Sequence, residues 1–158
     1  MNNIVNKGIT MIFSVIYLML IMNGTITSPN QIAGEVNSWD LQCLAGMMMK
    51  ENGYCTERCV LLTGAVAINR LNSSKWNGNT IEEVIMAKDG GYWQYASSTR
   101  KEFRTVKATP RVQAMAKYLL IYGADLVCPS NIIYQGMNKH QGSGVYWTDG
   151  KGEYFCYE

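Results

Sequence analysis

One carboxylate in this chain stands apart by its surroundings. Glu51 closes the run Met47-Met48-Met49-Lys50 and is followed by Asn52-Gly53, a pair that stops helices. A carboxyl held against apolar neighbours resists ionising, so it keeps its proton and can act as a general acid. The competing reading is a solvated Glu in the last turn of an ordinary helix, the usual fate of that residue type. Glu57, Glu82, Glu83, Asp89 and Glu102 fall in first turns, polar helix faces or loops, and none shares the apolar setting of Glu51. Other chemistry is thinly provided. The one histidine, His140, has no cluster around it for a metal, and no partner is singled out for a Cys-His nucleophile pair. The five cysteines, Cys43, Cys55, Cys59, Cys128 and Cys156, read as small core hydrophobes plus one or two bridges. No metal and no organic cofactor is expected.

The elements that must position Glu51 come next. Ser38 reads as the N-cap of a helix with Asp40 in its first turn and Leu41, Leu44, Ala45, Met48 and Met49 on its apolar face; Glu51 falls just past its end. After a turn over 52–55, Thr56 caps a second helix running to Arg70. That helix is apolar nearly all round and so becomes the central buried element, with Gly64 allowing a neighbour close. Thr80-Ile81-Glu82-Glu83 is a capping box opening a short helix that ends before Gly90-Gly91. Thr109-Pro110 starts a helix to Tyr122, stopped by Gly123. The tail changes period. Ile132-Ile133-Tyr134 is a strand, and Val145 to Thr148 pairs with Tyr154 to Tyr157 across Asp149-Gly150-Lys151-Gly152. A helical lobe followed by a small C-terminal antiparallel sheet is an α+β domain.

The first 28 residues are of another kind. One cation, Lys7, precedes an apolar run over residues 9–22, about 14 residues, which is the length of a signal-peptide core and short of the roughly 20 needed to span a bilayer. Residues 1–28 are therefore expected to be a signal peptide or membrane anchor, 29–37 a linker and 38–158 the working domain, exported from the cytosol. A net charge of +2 with no Lys/Arg cluster does not suggest a nucleic-acid partner.

With those residues in place, the stretch from Leu41 to Tyr157 resembles the SleB/CwlJ-type cell wall hydrolases, the spore-cortex-lytic family. Leu44-Ala45 with Glu51-Asn52-Gly53 resembles the family's glutamate-ending helix. Gly64-Ala65-Val66-Ala67-Ile68-Asn69-Arg70 resembles its "G-x-V-x-x-N-R" helix, at the family's distance from the glutamate. Thr80-Ile81 with Val84-Ile85, then Gln94-Tyr95, resemble "T-I-x-x-V-I" and the "Q-F/Y" after it, while Asn131 to Tyr134 and Tyr154-Phe155 resemble the closing strands. The chain departs from the pattern at Glu153-Tyr154-Phe155, where many members carry "H-x-F", and at Gly53-Tyr54-Cys55, where many carry an acidic or proline-containing turn.

The resemblance implies a lysozyme-like helical lobe and cleavage of the peptidoglycan glycan strand between N-acetylmuramic acid and N-acetylglucosamine, in the best-described members by lytic transglycosylation. That reaction needs one carboxylate where ordinary glycosidases need two. Glu51 would protonate the leaving oxygen and then take the proton of the substrate's own C6 hydroxyl. In support, Gln94 and Tyr95 would hydrogen-bond and stack on a sugar, Tyr134 would face the groove, and Asn69 would mainly tie its helix end to neighbouring backbone. For Tyr95 and Tyr134, half-buried packing against the sheet is an equal alternative. The partner is the glycan strand, met by a monomer, with anchoring through residues 9–22 as a further expectation. A muramidase-type hydrolase and a non-catalytic wall-binding protein keeping the fold are the alternatives.

Overall fold

The computed structural model describes residues 2–76, 78–139 and 141–158, with side chains described from Gly8 onward. His140 and the side chain of Lys7 lie outside the described residues. The elements in order are α1 (Asn2–Met22), a 3-10 turn (Pro29–Gln31), α2 (Ser38–Asn52), α3 (Glu57–Asn72), α4 (Ile81–Ile85), β1 (Lys88–Asp89), β2 (Tyr92–Trp93), α5 (Ser97–Glu102), α6 (Pro110–Tyr122), β3 (Ile132–Met137), β4 (Gly144–Thr148) and β5 (Glu153–Tyr157). The class is α+β, as the sequence predicts.

Helix α3 is the centre because it has no polar face to leave in water. Every residue from Cys59 to Arg70 is buried. Helices α2 and α6 pack on it and on each other, and β3 covers its C-terminal half. The crossing is close at Gly64, where a Cβ would run into Leu119 of α6 and stand 2.7 Å from the sulfur of Met48 on α2. A second close approach lies at Gly46, where α2 passes beneath the end of α5 and a Cβ would collide with the carbonyl oxygen of Phe103. Gln42 of α2 reinforces that contact by donating its side-chain amide to the carbonyls of Phe103 (3.3 Å) and Val106 (3.1 Å).

Local chemistry explains the helix ends. Thr56, Thr80 and Thr109 each accept a backbone N–H from the residue three further on, and Pro110 and Gly123 bracket α6. Two details differ from expectation. The cap of α2 is Asn37, whose side-chain oxygen accepts from the N–H groups of Trp39 and Asp40, so Ser38 is the first helical residue. The Glu83 carboxylate turns back to the N–H of Asn79 rather than to that of Thr80. Helix α5, six residues without a buried stripe, is absent from the sequence reading.

In the C-terminal sheet β5 is central, with β3 and β4 antiparallel on either side. Val145 pairs with Cys156, Trp147 with Phe155 and Thr148 with Tyr154, leaving Tyr146 bulged; β3 is bulged in the same way at Ile133. Gly150 and Gly152, with φ of 72° and 121°, carry the turn between β4 and β5. Gly90 and Gly91 make a comparable turn between β1 and β2, so the segment after α4 is a small hairpin rather than an open loop.

Two further observations bear on the expectations. Ile21 of α1, with Ile26 and Ile32, is buried in the same core as α2, α3 and α6, and Ser14 and Tyr118 of α6 share a hydrogen bond of 3.0 Å. Among the described residues no helix is long and apolar enough to cross a membrane. The cysteines correct the expected bridges, since all five are free thiols. Cys43, Cys59, Cys128 and Cys156 are buried as small apolar fillers on separate elements, and burial pushes the thiols of Cys43 and Cys128 up to about 11.

On an open helix face, Gly→Ala gains about 1 kcal/mol. At both glycines the added methyl meets neighbours instead. The obstacle at Gly64 is the ends of flexible side chains, whereas at Gly46 it is backbone. Gly46→Ala is therefore expected to cost about 1–3 kcal/mol or more and Gly64→Ala less. In a thermal melt the larger effect should appear as a drop of roughly 2–4 °C per kcal/mol in a chain of this size. Equal melting temperatures for Gly46→Ala and the parent would refute the close approach.

Candidate functional site

Glu51 sits inside the last turn of α2 rather than beyond it, because the helix runs to Asn52 and closes on Gly53. Its side chain is half-buried at the wall of an open cleft of about 270 Å³ lined with Met49, Lys50, Asn52, Gly53, Tyr54, Cys55 and Val106. Its Oε1 is buried and has no hydrogen-bond partner. Such an atom is costly to keep in a fold, so it marks a group held for something other than stability.

Three contacts fix that helix end. Asn52, 5% exposed, donates its side-chain amide to Thr63 Oγ1 of α3 (2.9 Å) and to Glu153 Oε1 of β5 (3.3 Å). Thr63 passes its hydroxyl proton to the carbonyl of Cys59 (2.9 Å), so the chain of bonds is anchored in backbone. From α6, Arg111 donates to the Gly53 carbonyl (2.8 Å) and pairs with Glu57 at the start of α3 (2.8 Å), clamping the turn between the two helices.

Behind Glu51 lies a buried cation. Arg70 is 1% exposed; its Nε donates to the Ile133 carbonyl (2.7 Å), while Nη1 and Nη2 have no partner. Its guanidinium carbon lies 4.5 Å from the centre of the Trp76 ring and 5.0 Å from that of Tyr95. The Trp76 indole N–H is buried and unpaired as well, and the buried Tyr95 hydroxyl lies beside the guanidinium. Burial pushes the Tyr95 hydroxyl above the usual phenol range, with Arg70 pulling against it and Glu51 adding to it. The phenol thus feels both the cation and the carboxylate.

The second carboxyl of the site is Glu153, the first residue of β5. It is 6% exposed, accepts from Asn52 and is hydrogen-bonded to Gln135 of β3. Burial pushes its carboxyl above the usual range; the bonds from Gln135 and Asn52 pull it down, and the charges of Glu51 and Asp149 push it up again. Asp149 fixes the backbone here by accepting the N–H groups of Lys151 (2.7 Å) and Glu153 (3.0 Å). This corrects the reading that no second acid shares an apolar setting with Glu51.

The other expected site residues divide. Tyr95 is brought to Glu51 but is only 4% exposed, so its ring is a wall beneath Arg70 and not a platform for a sugar. Gln94 is half-buried and donates its amide back to the Tyr92 carbonyl (3.3 Å) within its own hairpin. Tyr134 is half-buried, accepts a hydrogen bond from Lys75 Nζ at 2.6 Å and meets Trp76 edge-on at 6.3 Å. Asn69 ties the end of α3 to backbone, donating to the carbonyls of Pro129 (2.9 Å) and Ile132 (3.0 Å). Arg70, Trp76, Asn52, Gln135 and Glu153 carry no role in the sequence reading. Arg70 and Asn52 stand in quoted motifs, and Glu153 occupies the place of an expected histidine, which was the available signal.

Among the described residues no group of three or more His, Cys, Asp or Glu side chains is gathered to hold a metal. The chain matches no protein-family model, no curated protein and no solved structure.

The raised carboxyl of Glu153 has a stability consequence. The unfolded chain releases this proton near the ordinary carboxyl value of 4.5 and the folded chain only at higher pH. Between the two the folded state holds the extra proton, so this contribution to stability falls as pH rises. Glu153→Gln removes that loss while keeping an oxygen for Asn52. The melting temperature of the variant relative to the parent is expected to rise as the pH is raised above the ordinary carboxyl value of 4.5. A difference that stays flat with pH would mean that Glu153 titrates normally.

Proposed function

We propose that this chain cleaves peptidoglycan glycan strands between N-acetylmuramic acid and N-acetylglucosamine, with Glu51 as general acid and then base. The observation that carries the reading is the Glu51 carboxylate itself. Its side chain lines an open cleft, one of its oxygens is buried without a protein partner, and its helix end is secured from three sides. A group so placed can give a proton to a glycosidic oxygen that enters the cleft. The ordered motifs around Glu51, Gly64 to Arg70, Thr80 to Ile85 and Gln94-Tyr95, with their resemblance to SleB/CwlJ-type hydrolases, support the choice of substrate. The reaction is a lytic transglycosylation. Glu51 protonates the leaving oxygen as the bond to C1 breaks, and its carboxylate then takes the proton of the C6 hydroxyl, whose oxygen closes the 1,6-anhydro ring on C1. Such a substrate lies outside the cytoplasmic membrane, so the reading carries with it an extracytoplasmic chain.

A second reading is favoured by Glu153. A buried second carboxyl that feels the charge of Glu51 is the equipment of a hydrolase, in which one protonates the leaving group and the other assists a water or attacks C1. Product mass separates the two, because the anhydro product is lighter by one water.

Purified vegetative and spore-cortex peptidoglycan, digested by the chain and by Glu51→Gln, would be read by mass spectrometry of the released muropeptides. Anhydro products are expected from the parent, with a rate lower by about 10²–10⁴-fold in the variant. Reducing-end products lost in both Glu51→Gln and Glu153→Gln would establish the hydrolase instead. A folded parent releasing nothing from either substrate would leave a wall-binding protein.

A further inference from the structure

The cleft at Glu51 ends at the turn Tyr54-Cys55, and a second cavity of about 280 Å³ begins on the other side of the same two residues. Its walls are Tyr54, Thr56, Trp147, Asp149 and Lys151, with the Cys55 and Cys59 side chains at its floor and rim. The mix is specific. Two aromatic rings meet a hydroxyl, a carboxylate and an amine, whereas the hollow along α1, lined by Gly8, Met11, Ile12, Val15 and Ile16, has no polar side chain to orient a ligand.

The aromatic residues are held in different ways. Tyr54, 91% exposed, stands on the lip that divides the two hollows and contributes nothing to the core. Trp147 is half-buried on β4, its ring 5.8 Å from that of Phe155, with the guanidinium carbon of Arg58 5.6 Å from its centre. The bulge at Tyr146 resets the alternation of β4 immediately before Trp147, and bulges beside binding sites commonly re-aim a side chain in this way. Cations therefore flank the tryptophan, Arg58 against its ring and Lys151 on the following turn.

We propose that Tyr54 and Trp147 form the second arm of a glycan groove, which takes the sugar units of the strand beyond the bond presented to Glu51. This rests on the glycan-cleaving reading above. Pyranose rings offer apolar C–H faces to aromatic rings and hydroxyls to groups such as Thr56 and Asp149, and large rigid aromatics make such contacts at little entropic cost. The free carboxylates of the peptide stems suit the Lys151 end of the cavity. The two hollows share a wall, so one extended strand fills both.

The test is binding of Glu51→Gln, which holds substrate without turning it over, to purified glycan–peptide fragments of two lengths, one disaccharide unit and four or more, measured by calorimetry. Adding Trp147→Ala is expected to weaken binding of the long fragments about tenfold while leaving the single unit unaffected, and Tyr54→Ala, whose ring lines both hollows, to weaken the long fragments at least as much. Tyr54→Phe, which keeps the ring, is expected to restore long-fragment affinity. Tyr54→Ala keeps the measurement interpretable even if Trp147→Ala unfolds the sheet, because Tyr54 packs against nothing that folding needs. Long-fragment affinity unchanged in Tyr54→Ala and in a folded Trp147→Ala would overturn the second arm and leave the Glu51 site standing. No binding of either length by the Glu51→Gln chain would remove both.

Discussion

Every polar side chain on α3 must find its partner inside the protein, because the helix is buried from Cys59 to Arg70. That constraint arranges the candidate site. Thr63 takes the amide of Asn52 and so fixes the end of α2. Asn69 and Arg70 reach successive carbonyls of β3, at Ile132 and Ile133, where the strand bulges. One helix, written mostly in Ala, Val, Ile and Leu, thus docks the carboxylate-bearing helix on one side and the sheet on the other. The sheet in turn delivers Glu153 back to Asn52, closing the circuit. The positions of the two carboxyls are by-products of satisfying three polar residues in an apolar helix.

Arg70 is the unbalanced member of that set. A guanidinium with one hydrogen bond, two faces covered by Trp76 and Tyr95 and two unpaired nitrogens is poorly compensated for its burial. Its charge is felt at the Tyr95 hydroxyl, and so is that of Glu51. Opposite charges therefore act on one buried phenol.

Much of the scaffold is legible in the sequence, because it is written in local chemistry. Thr56, Thr80 and the Thr109-Pro110 to Gly123 bracket act within a few residues of themselves, and the glycines at 150 and 152 set the β4–β5 turn without help. The choice between Asn37 and Ser38 as cap is less legible, since both residue types cap helices and the decision lies in which oxygen reaches Trp39 and Asp40. The site is legible only at Glu51. Arg70 reads locally as a cation complementing the end of a helix, a surface role, and only the sheet arriving from 63 residues away buries it. Glu153 reads as a polar position at a strand start until Asn52 and Gln135 enclose it. Tyr95 reads equally as a sugar platform or a half-buried packing residue, and its place against Arg70 takes it out of water.

The turn between α2 and α3 joins two unlike regimes. Its backbone is held by Arg111 at Gly53 and by the Thr56 cap, and the Cys55 thiol reaches Asn52 Oδ1 (3.4 Å), yet the side chain of Tyr54 projects from it with no share in the interior. Natural variation at Tyr54 can therefore proceed without passing through unstable intermediates. A lineage carrying this architecture could change the face of the turn one substitution at a time, while the buried contacts that hold Glu51 beneath it stay untouched.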